Sequence, residues 1–451
     1  MRSLKPSGSR ERETALSGLD PEVVTRFAMT RGAAGARPAQ GDGAGPQAAI
    51  TDGAGSGSLG RRLVLVMAVS TGLTIANNYY AQPLLPAIGH ALHTSASLTG
   101  LVVTAAQVGY ALGLVFLLPL GDLLERRRLI AILSLATAGL LVWVGASPTM
   151  AWLLPAVFAV GTVSVLAQII VPFAAGLAGD QERGQIVGKV MSGLLLGILL
   201  ARTIAGWLAE TGTWRAVYFV AAGAMVVQSG VLAVELPTWK RPAALSYPRL
   251  VASTAALLRD EPVLRLRACF GLFSFATFSC LWTSLAFVLA RNYHYSPGII
   301  GMFGLVGAAG AAAASVAGRL ADRGWQWSTT GVAALLLATS WLLIWEGRRE
   351  IFAMIVGLVV FDLAVQALHI TNQSQIYRLR PEARSRLTAA CMFLYFTGGA
   401  GGSVLSAALY GAYGWAGPCV AGAGLATCAL VLWVIASLVL GPARRGLGGP
   451  Q

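Results

Sequence analysis

The chain has 451 residues, 56% of them hydrophobic and only 12% charged, with a net charge of +14. A soluble protein of this length needs a solvated shell and carries about twice that charged fraction, so most of this surface faces something other than water. Nucleic-acid binders gather their basic residues on one folded soluble face. Here those residues sit in short connections between apolar stretches, which argues against a nucleic-acid partner and for a lipid bilayer.

Residues 1–60 are rich in Gly, Ala, Arg, Pro and Ser. Such a segment cannot bury enough apolar surface to offset the entropy of ordering, and a disordered cytoplasmic tail is expected. No basic start, apolar core and small-residue cleavage site marks a removable signal peptide, so the first apolar stretch is expected to direct insertion. Twelve stretches then approach the ~20 residues that a hydrocarbon core about 30 Å thick requires of a helix. They are 63–88, 97–120, 129–147, 151–178, 185–209, 214–235, 267–290, 298–318, 328–345, 351–377, 387–410 and 416–440. Spans containing proline are expected to kink. The polar stretch 237–266, with Pro237, Lys240, Arg241, Pro242, Pro248 and Pro262, reads as a cytoplasmic linker with a short helix near 250–258. It separates an N-terminal six-helix bundle, 61–236, from a C-terminal one, 267–440, followed by a cytoplasmic tail at 441–451.

Alternate connections collect Arg61, Arg62, Arg126, Arg127, Arg128, Arg183, Lys240, Arg241, Arg319, Arg323, Arg384, Arg444 and others on one side, against only Arg215, Arg291, Arg348 and Arg349 on the other. Cationic loops resist translocation, which predicts that both termini are cytoplasmic in a bacterial inner membrane. The five cysteines lie inside apolar spans with no metal-ligand spacing, so no metal is expected.

The two halves repeat. Asp122 corresponds to Asp322 at an offset of 200, while Gly100 and Gly301, Gly109 and Gly310, Arg183 and Arg384, Gly197 and Gly398, and Trp214 and Trp415 correspond at 201. Equivalent positions six spans apart give the halves parallel topology. The connections after the second and eighth spans read Leu118-Pro-Leu-Gly-Asp122-Leu-Leu-Glu-Arg126-Arg127-Arg128 and Gly318-Arg-Leu-Ala-Asp322-Arg323-Gly324. This arrangement resembles the major facilitator superfamily, whose loop after the second helix has the form G-x-x-x-D-R-x-G-R-R. Leu118, Leu123 and Glu125 depart from that form. The stretch from Asp362 through Gln366, His369, Asn372 and Gln373 to Pro381-Glu-Ala-Arg-Ser-Arg is similar to a bacterial branch of that family classed as drug or metabolite exporters. The resemblance spans roughly residues 60–440. It implies an all-α membrane protein of 12 transmembrane helices in two pseudo-symmetric six-helix bundles, with the first, fourth, seventh and tenth helices around a central cavity.

Asp362, Gln366, His369 and Gln373 stand at i, i+4, i+7 and i+11 of the tenth span, on one helical face. A mid-membrane Asp costs about 2.5–3.5 kcal/mol on insertion scales, so this face must meet protein or a water-filled path. Asp362 or His369 is a candidate for proton coupling; the alternative is a fixed hydrogen-bond network between helices. Arg202, in the fifth span, lies at a depth similar to that of Asp362 and is a candidate partner for it, unless its side chain snorkels to the headgroups. Asn77, Asn78, Tyr80 and Gln82, before Pro83 and Pro86, suggest a bent cavity-lining first helix, although Tyr79 and Tyr80 also suit an interfacial belt. Gln107 and Gln168 are further cavity candidates, Gln168 being the repeat equivalent of His369. Asp122, Arg126, Arg127 and Arg183, with Asp322, Arg323 and Arg384, are candidate gating residues that latch the halves, or mark topology alone.

The expected function is a secondary active transporter working by alternating access, exporting small amphipathic or hydrophobic compounds in exchange for protons. Its partners are then the small molecule, protons and lipid, with the proton gradient in place of any cofactor and a monomer as the expected state. Proton-linked uptake of a sugar or organic acid is the alternative. An anion would favour more than one buried cation, and Arg202 is the single one expected. ATP drive and enzymatic chemistry are not expected, because no GxxxxGK[ST], HExxH or GxSxG pattern occurs.

Overall fold

A computed structural model of the chain describes residues 60–179, 182–238, 246–307, 319–320, 323–379 and 384–439. The two expected tails, the end of the eighth span at 308–318 and the gating candidate Asp322 lie outside these residues, as does the side chain of Arg384. Every regular element among the described residues is a helix. Eleven are long and apolar enough to cross a membrane: Arg61–Ala91, Ala96–Leu123, Arg126–Ala146, Met150–Leu177, Arg183–Thr211, Trp214–Glu235, Pro262–Asn292, Gln326–Glu346, Ile351–Ile376, Arg386–Tyr413 and Ala416–Val439. The eighth span is described as the apolar segment Pro297–Gly307, which tightens from α to 3₁₀ at Phe303. We call the face on which the first span starts the linker face and the opposite one the far face.

Boundaries move where proline starts a helix. The seventh span begins at Pro262 rather than 267, because a first-turn proline loses no hydrogen bond there. The linker helix runs from Tyr247 to Asp260, with Pro248 in its first turn. Leu257 seats it in a small apolar core with Leu264, Ile376 and Leu387 of the second half, while the Tyr247 hydroxyl donates to the Phe116 carbonyl of the first.

Two spans break, each for a local reason. In the first, the hydroxyls of Thr71 and Thr74 donate back to the carbonyls of Met67 and Ser70, and Pro83 follows. The helix yields at Asn77–Tyr80, where Asn78 and Tyr79 bond three residues back. In the fourth, Ser164 donates back to Val160 and the helix pauses at Ser164–Val165 before Pro172.

The duplication extends to contacts. Gly197 of the fifth span is pressed on the backbone of Gly72 of the first, and Gly398 of the eleventh on that of Leu272 of the seventh. Where the two halves meet near the far face, Gly206 and the Arg202 backbone of the fifth span abut Pro297 and Gly301 of the eighth, while Gly100 of the second abuts Ala407 of the eleventh. Helix starts match too: Ser95 caps the second span and Ser296 the eighth, each accepting from the amide three residues on. The preceding His93 and His294, 201 apart, both adopt left-handed backbone with φ of 51° and 55°. Lipid tails drive no hydrophobic association between helices, so close backbone approach at such small residues supplies the packing.

Substituting Gly197 with leucine would place side-chain atoms inside the Gly72 backbone. Overpacking of this kind costs about 1–3 kcal/mol, so Gly197→Leu should lower the detergent thermal midpoint and the monodisperse yield. Gly139→Leu, at a position with open space beside it, should leave both near the parent values.

Candidate functional site

The break in the first span turns polar side chains inward at mid-depth. Gln82, Arg202, Trp282 and Asp362 all lie nine to eleven residues from the far ends of their helices, about 14–16 Å along the axis. All four are buried, Arg202 at 3% and Asp362 at 5% exposure. Snorkelling of Arg202 is thereby ruled out in this conformation, and Tyr79 and Tyr80 are buried at the break rather than in an interfacial belt.

Arg202 Nε donates to Oε1 of Gln82 at 2.6 Å. Its guanidinium carbon sits 3.7 Å from the Trp282 ring centroid, 5.0 Å from that of Tyr79 and 5.6 Å from that of Phe278. Cation–π attraction of this kind holds a desolvated charge without neutralising it. The expected ion pair with Asp362 is not formed: no carboxylate oxygen lies within 4.0 Å of Arg202, although the two charges are close enough to interact. The ring stack around the guanidinium and the bond to Gln82 take up the geometry a salt bridge would need. Oδ2 of Asp362 rests over Gly307, 3.2 Å from where a β-carbon would stand, and the Trp282 indole neighbours the carboxylate. Even so, Oδ1 of Asp362, Nε1 of Trp282, Nη2 of Arg202 and Nε2 of Gln82 have no hydrogen-bond partner of normal geometry. Both side-chain atoms of Asn78 and both of Gln107 share that state, while Asn77 reaches only the sulfur of Met225, at 3.6 Å. A void of ≈ 10 Å³ beside Gln82, Arg202 and Trp282 has room for about one water.

One to two turns towards the linker face, an aromatic layer joins the halves. Tyr110 of the second span lies 4.1 Å from Phe396 of the eleventh, and Phe275 of the seventh stacks on Tyr395 at 4.0 Å. His369 packs against Tyr395, with ring centroids 5.1 Å apart, and Gln168 donates to the Tyr110 hydroxyl at 3.4 Å. The repeat-related His369 and Gln168 thus flank one aromatic cluster from opposite halves. Gln366 and Gln373 are half-buried on the same face of the tenth span, and Oε1 of Gln373 has no partner.

The gating candidates are arranged more locally than expected. Arg126 bonds Asp122 at 3.1 Å and the Gly121 carbonyl at 2.9 Å, so this pair closes within one half. The Arg127 amide is capped by Glu125. Asp122 instead faces the other half across a cleft lined by Leu250 and Thr254 of the linker helix and Arg386 of the eleventh span. Arg183 donates to the Ala175 carbonyl, and Arg323 is exposed. Arg202 is also not the single buried cation. Arg267, at 5% exposure, bonds Thr330 and Asn372 between the seventh, ninth and tenth spans, nearer the linker face and away from Arg202.

The model of the Major Facilitator Superfamily matches residues 67–345 and 267–449. This chain belongs to the Major Facilitator Superfamily. Within it, the chain is 50% identical over 372 residues to the uncharacterized transporter YgaY of Escherichia coli O157:H7, covering 82% of this chain and 94% of that one. Among solved structures, the nucleoside transporter NupG superposes with a TM-score of 0.67 at 12% identity, covering 83% of this chain and 99% of that chain. A bacterial homologue of the human lysosomal transporter Spinster, inward-facing and occupied, superposes with a TM-score of 0.66 at 14% identity, covering 87% and 98%. At these identities the superpositions speak for the fold alone. The protein is a transporter with the twelve-helix, two-bundle facilitator fold, and the four-residue cluster lies where its two bundles meet.

Sequence reasoning passed over Phe275, Phe278, Trp282, Tyr395 and Phe396. Phe275, Phe278 and Trp282 do recur at i, i+3 and i+7, but in an apolar helix that stripe could equally face lipid. Among the described residues, Gln82 is the only acceptor bonded by the Arg202 guanidinium. Gln82→Leu should therefore destabilise the folded protein by about 1.5–3 kcal/mol, read as a lower thermal midpoint in detergent, and Gln82→Glu should not.

Proposed function

We propose that this transporter is a proton-coupled exporter of small amphipathic or hydrophobic compounds, working by alternating access as a monomer in a bacterial inner membrane. The linker face, with both termini, is cytoplasmic and the far face periplasmic, in keeping with the distribution of arginines. The observation that carries the reading is the buried, unbridged pair of Arg202 and Asp362 with free polar atoms on both.

A carboxylate beside an unneutralised guanidinium keeps its charge, and one that loses that influence takes a proton. Movement of the fifth span against the tenth changes that influence, so proton uptake and release at Asp362 follow the conformation. His369, against Tyr395 and nearer the cytoplasm, passes the proton on in this scheme. The lining favours amphipathic compounds: ring faces of Tyr79, Phe278 and Trp282 supply apolar contact, while Asn78, Gln82 and Gln107 supply neutral hydrogen bonds. A proton falling through 100 mV supplies about 2.3 kcal/mol, to which a pH gradient adds. Nothing in this scheme requires a cofactor.

A deletion strain exposed to a panel of toxic amphipathic compounds identifies the one to follow. In proteoliposomes, Asp362→Asn should reduce movement of that compound driven by a pH gradient about tenfold or more, while gradient-free exchange persists. Gradient-driven transport at the parent rate would remove Asp362 from the coupling.

A further inference from the structure

The two seams that close the far face are related by the duplication, yet only one carries a carboxylate. At the end of the fifth span, Glu210 accepts from the Ser296 hydroxyl and, at 3.1 Å, from the Gly298 amide at the start of the eighth. A β-carbon on Gly298 would stand 2.5–2.6 Å from the carboxylate atoms, so glycine there lets the acid lie directly on the backbone. Deeper in the same seam, Thr203 donates to the Gly301 carbonyl at 3.1 Å. All of these contacts run from one half of the transporter to the other.

At an offset of 201 the matching seam joins the eleventh span to the second, with Gly411 in place of Glu210, Ser95 in place of Ser296 and Ser97 in place of Gly298. There Ser97 merely packs on Gly411, and Thr104 bonds Ser403 deeper in. Ser95 has the same capping bond as Ser296 but no acid to serve.

From this contrast we infer that Glu210 is the clasp of the periplasmic gate: its two inter-half hydrogen bonds hold the far face shut, and the opposite seam, bridged by the hydroxyls of Thr104 and Ser403, opens without releasing a carboxylate. The inference rests on the alternating-access reading, since a clasp matters only if that face opens. The acid is solvent-exposed, so a clasp here is releasable, which a buried ion pair would not be. Its loss should raise the far-face-open population about tenfold, the worth of roughly one charge-assisted hydrogen bond at an exposed site.

The test is a distance measurement by electron spin resonance in the full chain, reconstituted in lipid. The five native cysteines are replaced, and spin labels are placed at Ala91→Cys and Asn292→Cys, exposed ends of the first and seventh spans on the far face. Glu210→Ala should shift the distribution towards long distances by about tenfold in population, with Glu210→Gln, which keeps the one oxygen that accepts both bonds but loses its charge, in between. A distribution that matches the parent in the alanine variant overturns the clasp, and if that variant does not fold, an unchanged Glu210→Ser variant, too short to reach Gly298, does so by itself. Because the read-out needs no transported compound, this result can fail while Asp362 proves necessary for coupling, and the reverse.

Discussion

A guanidinium held at mid-membrane by ring faces and one amide, rather than by a carboxylate, is the interaction on which the rest of the site depends. An isolated buried charge is costly unless paired or bonded, and an Arg202–Asp362 salt bridge would have met that need in one step. It would also have locked the fifth span to the tenth, because breaking a buried pair costs about 3–5 kcal/mol. Gln82, Tyr79, Phe278 and Trp282 hold Arg202 instead. The result is a cation stable enough to stay inside and an acid nearby that has not spent its charge on it.

The duplicated scaffold shows which parts of the site are general and which were added. Gln82 and Arg202 are bonded across the first and fifth spans; at an offset of 201, Thr283 and Ser403 are bonded across the seventh and eleventh, at 3.0 Å. The geometry of the pair is therefore a property of the fold, and its charge belongs to one half. Asp362 corresponds likewise to Gly161, where a close crossing with Ala106 leaves no room for a side chain. Symmetry supplies matched crossings and helix starts, and asymmetry at a few positions turns one of the two equivalent places into a polar site.

How much of this could be read without coordinates depends on the length of the signal. The apolar stretches and the repeat were legible, since each rests on tens of residues. The polar stripe from Asp362 to Gln373 was legible as one face, because four polar residues at helical spacing in an apolar span have no other cheap explanation. What Arg202 bonds was not legible: Gln82, 120 positions away, and Asp362 compete for it, and only side-chain geometry decides. Arg267 stands at the first position of the seventh apolar stretch, 267–290, and only the earlier helix start at Pro262 sets it more than a turn inside the span. Glu210 carries no signal in the sequence, since its place depends on packing against Gly298 of another span.

Unpartnered polar atoms and open seams have a common origin. Native interiors leave few buried polar groups unsatisfied, yet here many remain, at the first-span break and in the Arg202 cluster as well as around Asn372 and Gln375 nearer the linker face. A single rigid packing that satisfied Asn78, Gln82, Gln107 and Asp362 internally would bind those groups to each other and leave nothing for water, proton or cargo. Glycine-on-backbone crossings such as Gly72 with Gly197 and Leu272 with Gly398 allow the opposite arrangement: helices are held closely by small residues with few specific bonds, so they shift without losing many of them. Crossings of this kind hold helices within each bundle and also join the fifth span to the eighth at Gly206 and Gly301. Between the bundles, polar atoms of Gln82, Arg202 and Asp362 are left unbonded, and these are the groups on which the proposed cycle relies.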